Sequence, residues 1–298
     1  MVKDMNMVMK TKSVICLFAL VGFLGCGATP TSLSQKMEVG EVKGDASPLI
    51  AEANELWKSR GDEAKALEAI KKWESAQEQD PSKAEIPLSL VYAYYFMAHV
   101  HDRWADNEVE KMEAWYAKGM KAGERAIFLQ NGDFKKMIES GKKWEEAVKT
   151  VKKDGIASLY WYATSLGKWS LIQGITTTLG NKGRIKSTME QVLKLDETFY
   201  YGAPHRYFGV YEAKIPGGDI NESGKSFDKA LKISPKYLDT HVLKAQYFAG
   251  KTQNEELFTS LLNDVIKADA KAIPELEIEN KNAQRIAKQM LENIEDIF

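Results

Sequence analysis

Between Gly202 and Pro235 the chain reads GAPHRYFGVYEAKIPGGDINESGKSFDKALKISP: a helix-forming run, a Pro-Gly-Gly stop, and a second helical run closed by a proline. This is one helical hairpin, and a unit so small cannot bury its apolar face alone, so it requires stacked neighbours. From Pro48 onward the apolar residues recur with helical period, and no alternating run long enough for a strand interrupts them. The expected fold class is therefore all-α, an irregular solenoid of helical hairpins.

The second helix carries Phe227, Ala230 and Leu231 ahead of Pro235, the offsets that close a tetratricopeptide-type repeat. Placing Pro81 at the same offset puts Ala69, Trp73 and Ala76 on one face of an earlier second helix, with Ala53 and Leu56 on its partner. Placing Ala270 there recovers Phe258, Leu262 and Val265, with Ala245 and Ala249 before them. Two looser copies close near Asn131, after Ala126, and near Asp196, after Ile185, Met189 and Val192. Breaks are expected at Arg60-Gly61-Asp62, Asp80-Pro81-Ser82, Asn131-Gly132-Asp133, Asn181-Lys182-Gly183, Gly202 to Pro204, Pro216 to Asp219, Ser234-Pro235 and Pro274. The spacing stretches in the middle of the chain, so the array is expected to curl around a central cavity. The last segment, Glu275 to Phe298, reads as an amphipathic helix that caps the final repeat, with a partner-binding helix as the alternative.

Gly202, Pro204, Arg206 and Gly209, then Ile215-Pro216-Gly217-Gly218-Asp219, then Lys225, Phe227 and Ala230-Leu231, resemble the signature of the TatT family, the T-components that accompany some tripartite ATP-independent periplasmic (TRAP) transporters. The resemblance runs from about Ala51 to Ile266, through Tyr92 to Phe96 and Leu159 to Ala163. It implies a non-enzymatic homotrimer whose subunits each contain a channel or cavity, and which docks a periplasmic solute-binding protein of a TRAP system. Gly202, Pro204, Gly209, Pro216, Gly217 and Gly218 are then structural, fixing the hairpin.

Lys3, Lys10 and Lys12 precede an apolar stretch from Val14 to Leu24, too short to span a bilayer permanently and shaped like a secretory signal over residues 1–25. Phe23-Leu24-Gly25-Cys26 resembles a bacterial lipobox, making Cys26 the lipidation site; ordinary cleavage beside an incidental cysteine is the alternative. Gly27 is not the aspartate that commonly retains lipoproteins at the inner membrane, which favours the periplasmic side of the outer membrane. Residues 26–47, rich in Thr, Ser, Gly and Pro, read as a flexible tether with a reach of about 25 Å, and residues 48–298 as the repeat domain. The other cysteine, Cys16, lies in the signal, so no disulfide within the mature chain is expected. A net charge of −1, with lysine and glutamate interspersed, excludes the concentrated basic face that nucleic acid requires.

Motifs for chemistry fail on inspection. Asp219, Asn221, Ser223 and Gly224 start like a calcium loop, but its twelfth position is Ala230 where a bidentate glutamate belongs, and Asn221 or Ser223 reads better as a helix cap. Gly224-Lys225-Ser226 lacks the earlier glycine of a phosphate loop. Glu139-Ser140 lacks the downstream segment of a lytic transglycosylase, and no Gly-x-Ser-x-Gly elbow or His-Glu-x-x-His occurs. No enzyme, cofactor or metal is expected. The aromatic residues carry the remaining signal: Tyr92, Tyr95, Trp161, Tyr207 and Tyr211 are expected to border the cavity, presenting ring faces and hydroxyls to a ligand. Arg206 would anchor a carboxylate, the substrate class typical of these transporters, or else bond a helix end or an acidic neighbour. A small organic acid or hydrophobic ligand is the expected cargo, and a general repeat scaffold for envelope protein assembly is the alternative function.

Overall fold

A computed structural model of the protein describes residues 37–104 and 108–298. The expected signal segment, Cys26 and the first part of the tether lie outside these residues. Residues 37–46, where the tether was expected to end, run against the first hairpin: the Lys43 amide donates to the Gln79 carbonyl at 2.8 Å, and Ala46 is fully buried.

The described residues contain helices and turns and no strand, as the helical period requires. Helices α1 (Ser47–Trp57) and α2 (Glu63–Gln79) form the first hairpin, and α3 (Glu85–Phe96) and α4 (Glu108–Gln130) the second. Two short helices, α5 (Gly132–Glu139) and α6 (Trp144–Ala147), intervene. Three further hairpins follow: α7 (Ile156–Gln173) with α8 (Ile175–Leu195), α9 (Phe199–Lys214) with α10 (Ile220–Ile233), and α11 (Leu238–Lys244) with α12 (Glu255–Lys267). The final helix is α13 (Glu277–Glu292). The small and large residues that set the repeat register in the sequence, among them Ala69, Trp73, Ala76, Ala126, Met189, Phe227, Ala230, Phe258 and Leu262, are all buried. Their spacing exists because each second helix must offer a close-approach alanine and a gap-filling aromatic or aliphatic side chain on the same face.

The α9/α10 hairpin shows this at atomic scale. A Cβ at Gly209 would stand 2.8 Å from the Phe227 ring, so only glycine lets the two helices meet here. The Ser223 hydroxyl donates to the Gly209 carbonyl at 2.7 Å and staples the same crossing. Ser223 and Asn221 therefore do not cap α10. That cap is Asp219, whose carboxylate accepts from the amides of Asn221 and Glu222. Gly217 turns the chain with φ 77°, a conformation open to glycine without steric cost.

One further expectation is corrected, and another is extended. The break placed at Asn181-Lys182-Gly183 falls instead at Gly174, which adopts φ 100°, and α8 runs unbroken through the three residues. Asn181 stays helical because its amide donates to Ser170 Oγ and to the Thr177 carbonyl, which spends its turn-forming capacity inside the hairpin. The C-terminal helix does more than cap its neighbour. It packs on α11 and α12 through Ala283, Ile286 and Ala287, and its other face reaches the first hairpin. Arg60 clamps Glu279 with Nε at 3.1 Å and Nη2 at 3.0 Å, the Tyr92 hydroxyl donates to Glu279 at 2.5 Å, and the Tyr201 hydroxyl donates to Glu275 at 2.6 Å. Asn282 donates to the His99 carbonyl at 3.2 Å. The start and end of the array are thus joined: one apolar cluster runs from Ala46 to Ala203, a second holds α11, α12 and α13, and a third, Tyr237, Ile273 and Leu276 packed by Tyr200 and Tyr201, lies between them.

Candidate functional site: an aromatic cavity with unpaired lysine

The curled array leaves a cavity of about 250 Å³ bordered by the end of α3 and by α7, α8, α9 and α11. Its walls are mostly apolar or aromatic. Leu171 and Ile175 are 40% and 61% exposed and form an apolar rim. Two segments with wide five-residue turns, Met97–His101 and Ala245–Ala249, contribute His99 and Tyr247. Such widened turns re-aim side chains that a regular helix would place elsewhere, and they are frequent at functional sites.

Of the residues expected from sequence to line the cavity, Tyr95, Arg206, Tyr207 and Tyr211 do so. Tyr92 and Trp161 stand behind the wall. Trp161 is packed by Tyr92 at 4.5 Å between ring centres, by Tyr200 at 5.0 Å and by Tyr95 at 5.1 Å, a rigid aromatic backing that fixes the lining Tyr95. Tyr94, from the same run, turns to the opposite side, stacks on Trp115 and donates to Glu74 at 2.7 Å. Of the structural motif, Pro216 borders the cavity, while Gly202, Pro204, Gly209, Gly217 and Gly218 shape the hairpin behind it.

Arg206 is 3% exposed and its guanidinium is already engaged. Tyr200, Tyr201 and Gly202 are three consecutive residues in the left-handed region, with φ of 42°, 61° and 75°. Each tyrosine there costs about 1–2 kcal/mol relative to the right-handed conformation. Arg206 holds the turn: Nη1 donates to the Tyr201 carbonyl at 3.0 Å and to Thr240 Oγ1 at 3.3 Å, Nη2 donates to the Tyr200 carbonyl at 3.2 Å, and the guanidinium lies 4.3 Å from the Tyr237 ring centre. A right-handed helix then restarts at Ala203, with Pro204 in its first turn, where the missing N–H is no loss. The arginine shapes the wall, bonding two backbone carbonyls and the Thr240 hydroxyl.

The charges that face the cavity without such partners are lysines. Lys168 is the only charged residue on α7, and it has no hydrogen-bond or ion-pair partner among the described residues. Burial, reinforced by Arg103 and Lys214 and opposed by Asp239, pushes its ammonium down to about 8. Burial also lowers Lys214, whose Nζ lies 5.3 Å from the Tyr247 ring centre. Lys182 adds a third ammonium to the lining. The one carboxylate there is Asp239, 3.8 Å from His99 Nε2. Burial alone would raise Asp239, but the neighbouring His99, with Arg206 and Lys168, holds it at about 2. Burial lowers His99 in turn, partly offset by Asp239. Positive groups therefore outnumber negative ones at the surface a ligand would meet.

Sequence reasoning passed over Lys168, His99 and Asp239. A signal for the first was present: a lone lysine within the otherwise uncharged run Ile156 to Gln173 must be buried or face a cavity. His99 and Asp239, 140 residues apart, gave none.

Among the described residues, no cluster of His, Cys, Asp and Glu could hold a metal ion, and no helix is long and apolar enough to cross a membrane. Helical hairpins with a small apolar cavity between α7, α8, α9 and α11, bordered by several cationic side chains, are the architecture of a binding component. The family model for the TRAP transporter T-component matches residues 64–298, and the chain belongs to that family. It is accordingly a component of a bacterial, membrane-associated TRAP transport system, and the family is not one of enzymes. No curated protein matches the sequence.

Proposed function

We propose that the protein is a lipid-anchored periplasmic subunit of its TRAP system, tethered through Cys26 to the outer membrane, that docks the system's solute-binding protein and binds or passes a small organic acid or hydrophobic ligand through the cavity. The observation that carries this reading is the cavity itself, a space of ligand size with mostly apolar walls and convergent polar groups, bordered by α7, α8, α9 and α11. Assembly as a homotrimer belongs to the same proposal and rests on the family resemblance. Native mass spectrometry of the protein mixed with its solute-binding protein tests it. A trimer carrying binding protein, with retained small molecules, is the expected result; two species that never associate would overturn the docking role.

A further inference from the structure

The cavity presents an inventory of partners that narrows what it can accept. Arg206 is spoken for by the carbonyls of Tyr200 and Tyr201. Asp239 shares the lining with Lys168, Lys182, Lys214 and Arg206, so an ammonium ligand meets more positive groups than negative ones. Lys168 has no partner among the described residues, so a wholly apolar ligand would strip water from its ammonium and supply nothing in return. Beside it, a Cβ at Gly167 would meet nothing within 4 Å, which places open space against the lysine stem. One turn further along α7, Leu171 begins the apolar rim that Ile175 continues.

Resting on the reading of this cavity as a ligand site, we propose that it takes an acidic amphiphile: a single anionic head seated on Lys168, with an apolar body lying along the tyrosine wall toward Leu171 and Ile175. Lysine, and not the arginine that the sequence nominates, is then the head-group residue. This suits a compact, strongly hydrated head on a flexible stem more than the bidentate fork of an arginine site. Size sets the body. A cavity of about 150 Å³ accommodates benzene, with its six heavy atoms, so 250 Å³ holds about ten. Octanoate has that count.

The test compares three probes that share an eight-carbon chain, octanoate, octanol and octylammonium, by isothermal titration into the full-length protein in detergent. Wild type is compared with Lys168→Met, Lys168→Arg and Gly167→Leu, so that detergent uptake of each probe cancels. The expected result is octanoate at least tenfold tighter than octanol, and octylammonium at least tenfold weaker than octanol. In Lys168→Met the octanoate advantage disappears while octanol is unchanged, which also shows that the variant is folded, and Lys168→Arg restores part of the advantage. Gly167→Leu, which fills the space, weakens octanoate and octanol together. Equal binding of octanoate and octanol by the wild type, or an octanoate advantage that survives in Lys168→Met, overturns the assignment of head group while leaving the cavity as a ligand site. Failure of all three probes to bind the wild type, or a Gly167→Leu variant that binds octanoate and octanol undiminished, overturns the ligand site and the head-group assignment together.

Discussion

Glu124 sits in the middle of α4, 6% exposed, with Oε1 lacking any hydrogen-bond partner among the described residues. Burial raises its carboxyl from 4.5 to about 7, with Arg184 opposing the rise. The folded state therefore holds a proton that the unfolded chain releases between about pH 4.5 and pH 7. Because the folded value is the higher one, the contribution is greatest below the unfolded value and is lost as pH rises through the folded value. At about 1.4 kcal/mol per tenfold change in proton affinity, the loss between pH 4.5 and pH 8 amounts to about 3 kcal/mol. Glu124→Gln removes the titration and keeps the shape. Urea unfolding of the wild type and the variant at pH 4.5, 6, 7 and 8 isolates the term, since every other titrating group is common to both. The stability difference should shift in favour of the variant by about 3 kcal/mol across that range, with most of the change before pH 7. Parallel stability curves would refute the reasoning, because they would mean that the carboxylate ionises in the folded state as easily as in water.

Gly209→Ala forces a methyl group into the Phe227 ring and should lower the urea-unfolding free energy by about 1–3 kcal/mol, despite the better helix propensity of alanine. Arg206→Met strips the left-handed turn of its donors and should destabilise by about 2–4 kcal/mol in the same assay, while Arg206→Lys recovers little because one ammonium cannot span both carbonyls. Tyr92→Phe removes the hydroxyl bond to Glu279 and should cost about 1.5–3 kcal/mol in unfolding free energy, with amide hydrogen exchange in α13 accelerated more than in α4, since Tyr92 bonds the seam and not the second hairpin's far end.

The fold was largely legible because repeat packing writes itself into local spacing. Phe227 and Ala230, or Trp73 and Ala76, must fall on one helix face, and that face can be read without knowing what covers it. Asn181-Lys182-Gly183 misled because turn-prone residues signal a turn only when their side chains find no better bond, and Asn181 finds one on Ser170, eleven residues away. The cavity was half legible. An aromatic run announces that rings face several directions, but which of them face space and which face Trp161 depends on packing between hairpins. The sequence offers Arg206 as a carboxylate anchor or as a donor to a helix end or an acidic neighbour; the carbonyls it meets were not legible, because no sequence rule foresees that Tyr200 and Tyr201 turn left-handed.

Sequence alone determined that this chain is all helix, paired into hairpins, and akin to the T-components of TRAP transporters, because periodicity, Pro-Gly-Gly punctuation and close-approach residues are properties of neighbours along the chain. Tertiary structure alone decided that the C-terminal helix returns to the first two hairpins through Glu279 with Arg60 and Tyr92, and that Lys168 borders the cavity with no hydrogen-bond or ion-pair partner among the described residues. Those outcomes belong to residues brought together from as far as 219 positions apart, and a charge is free or spent only once every other group in the fold has taken its place.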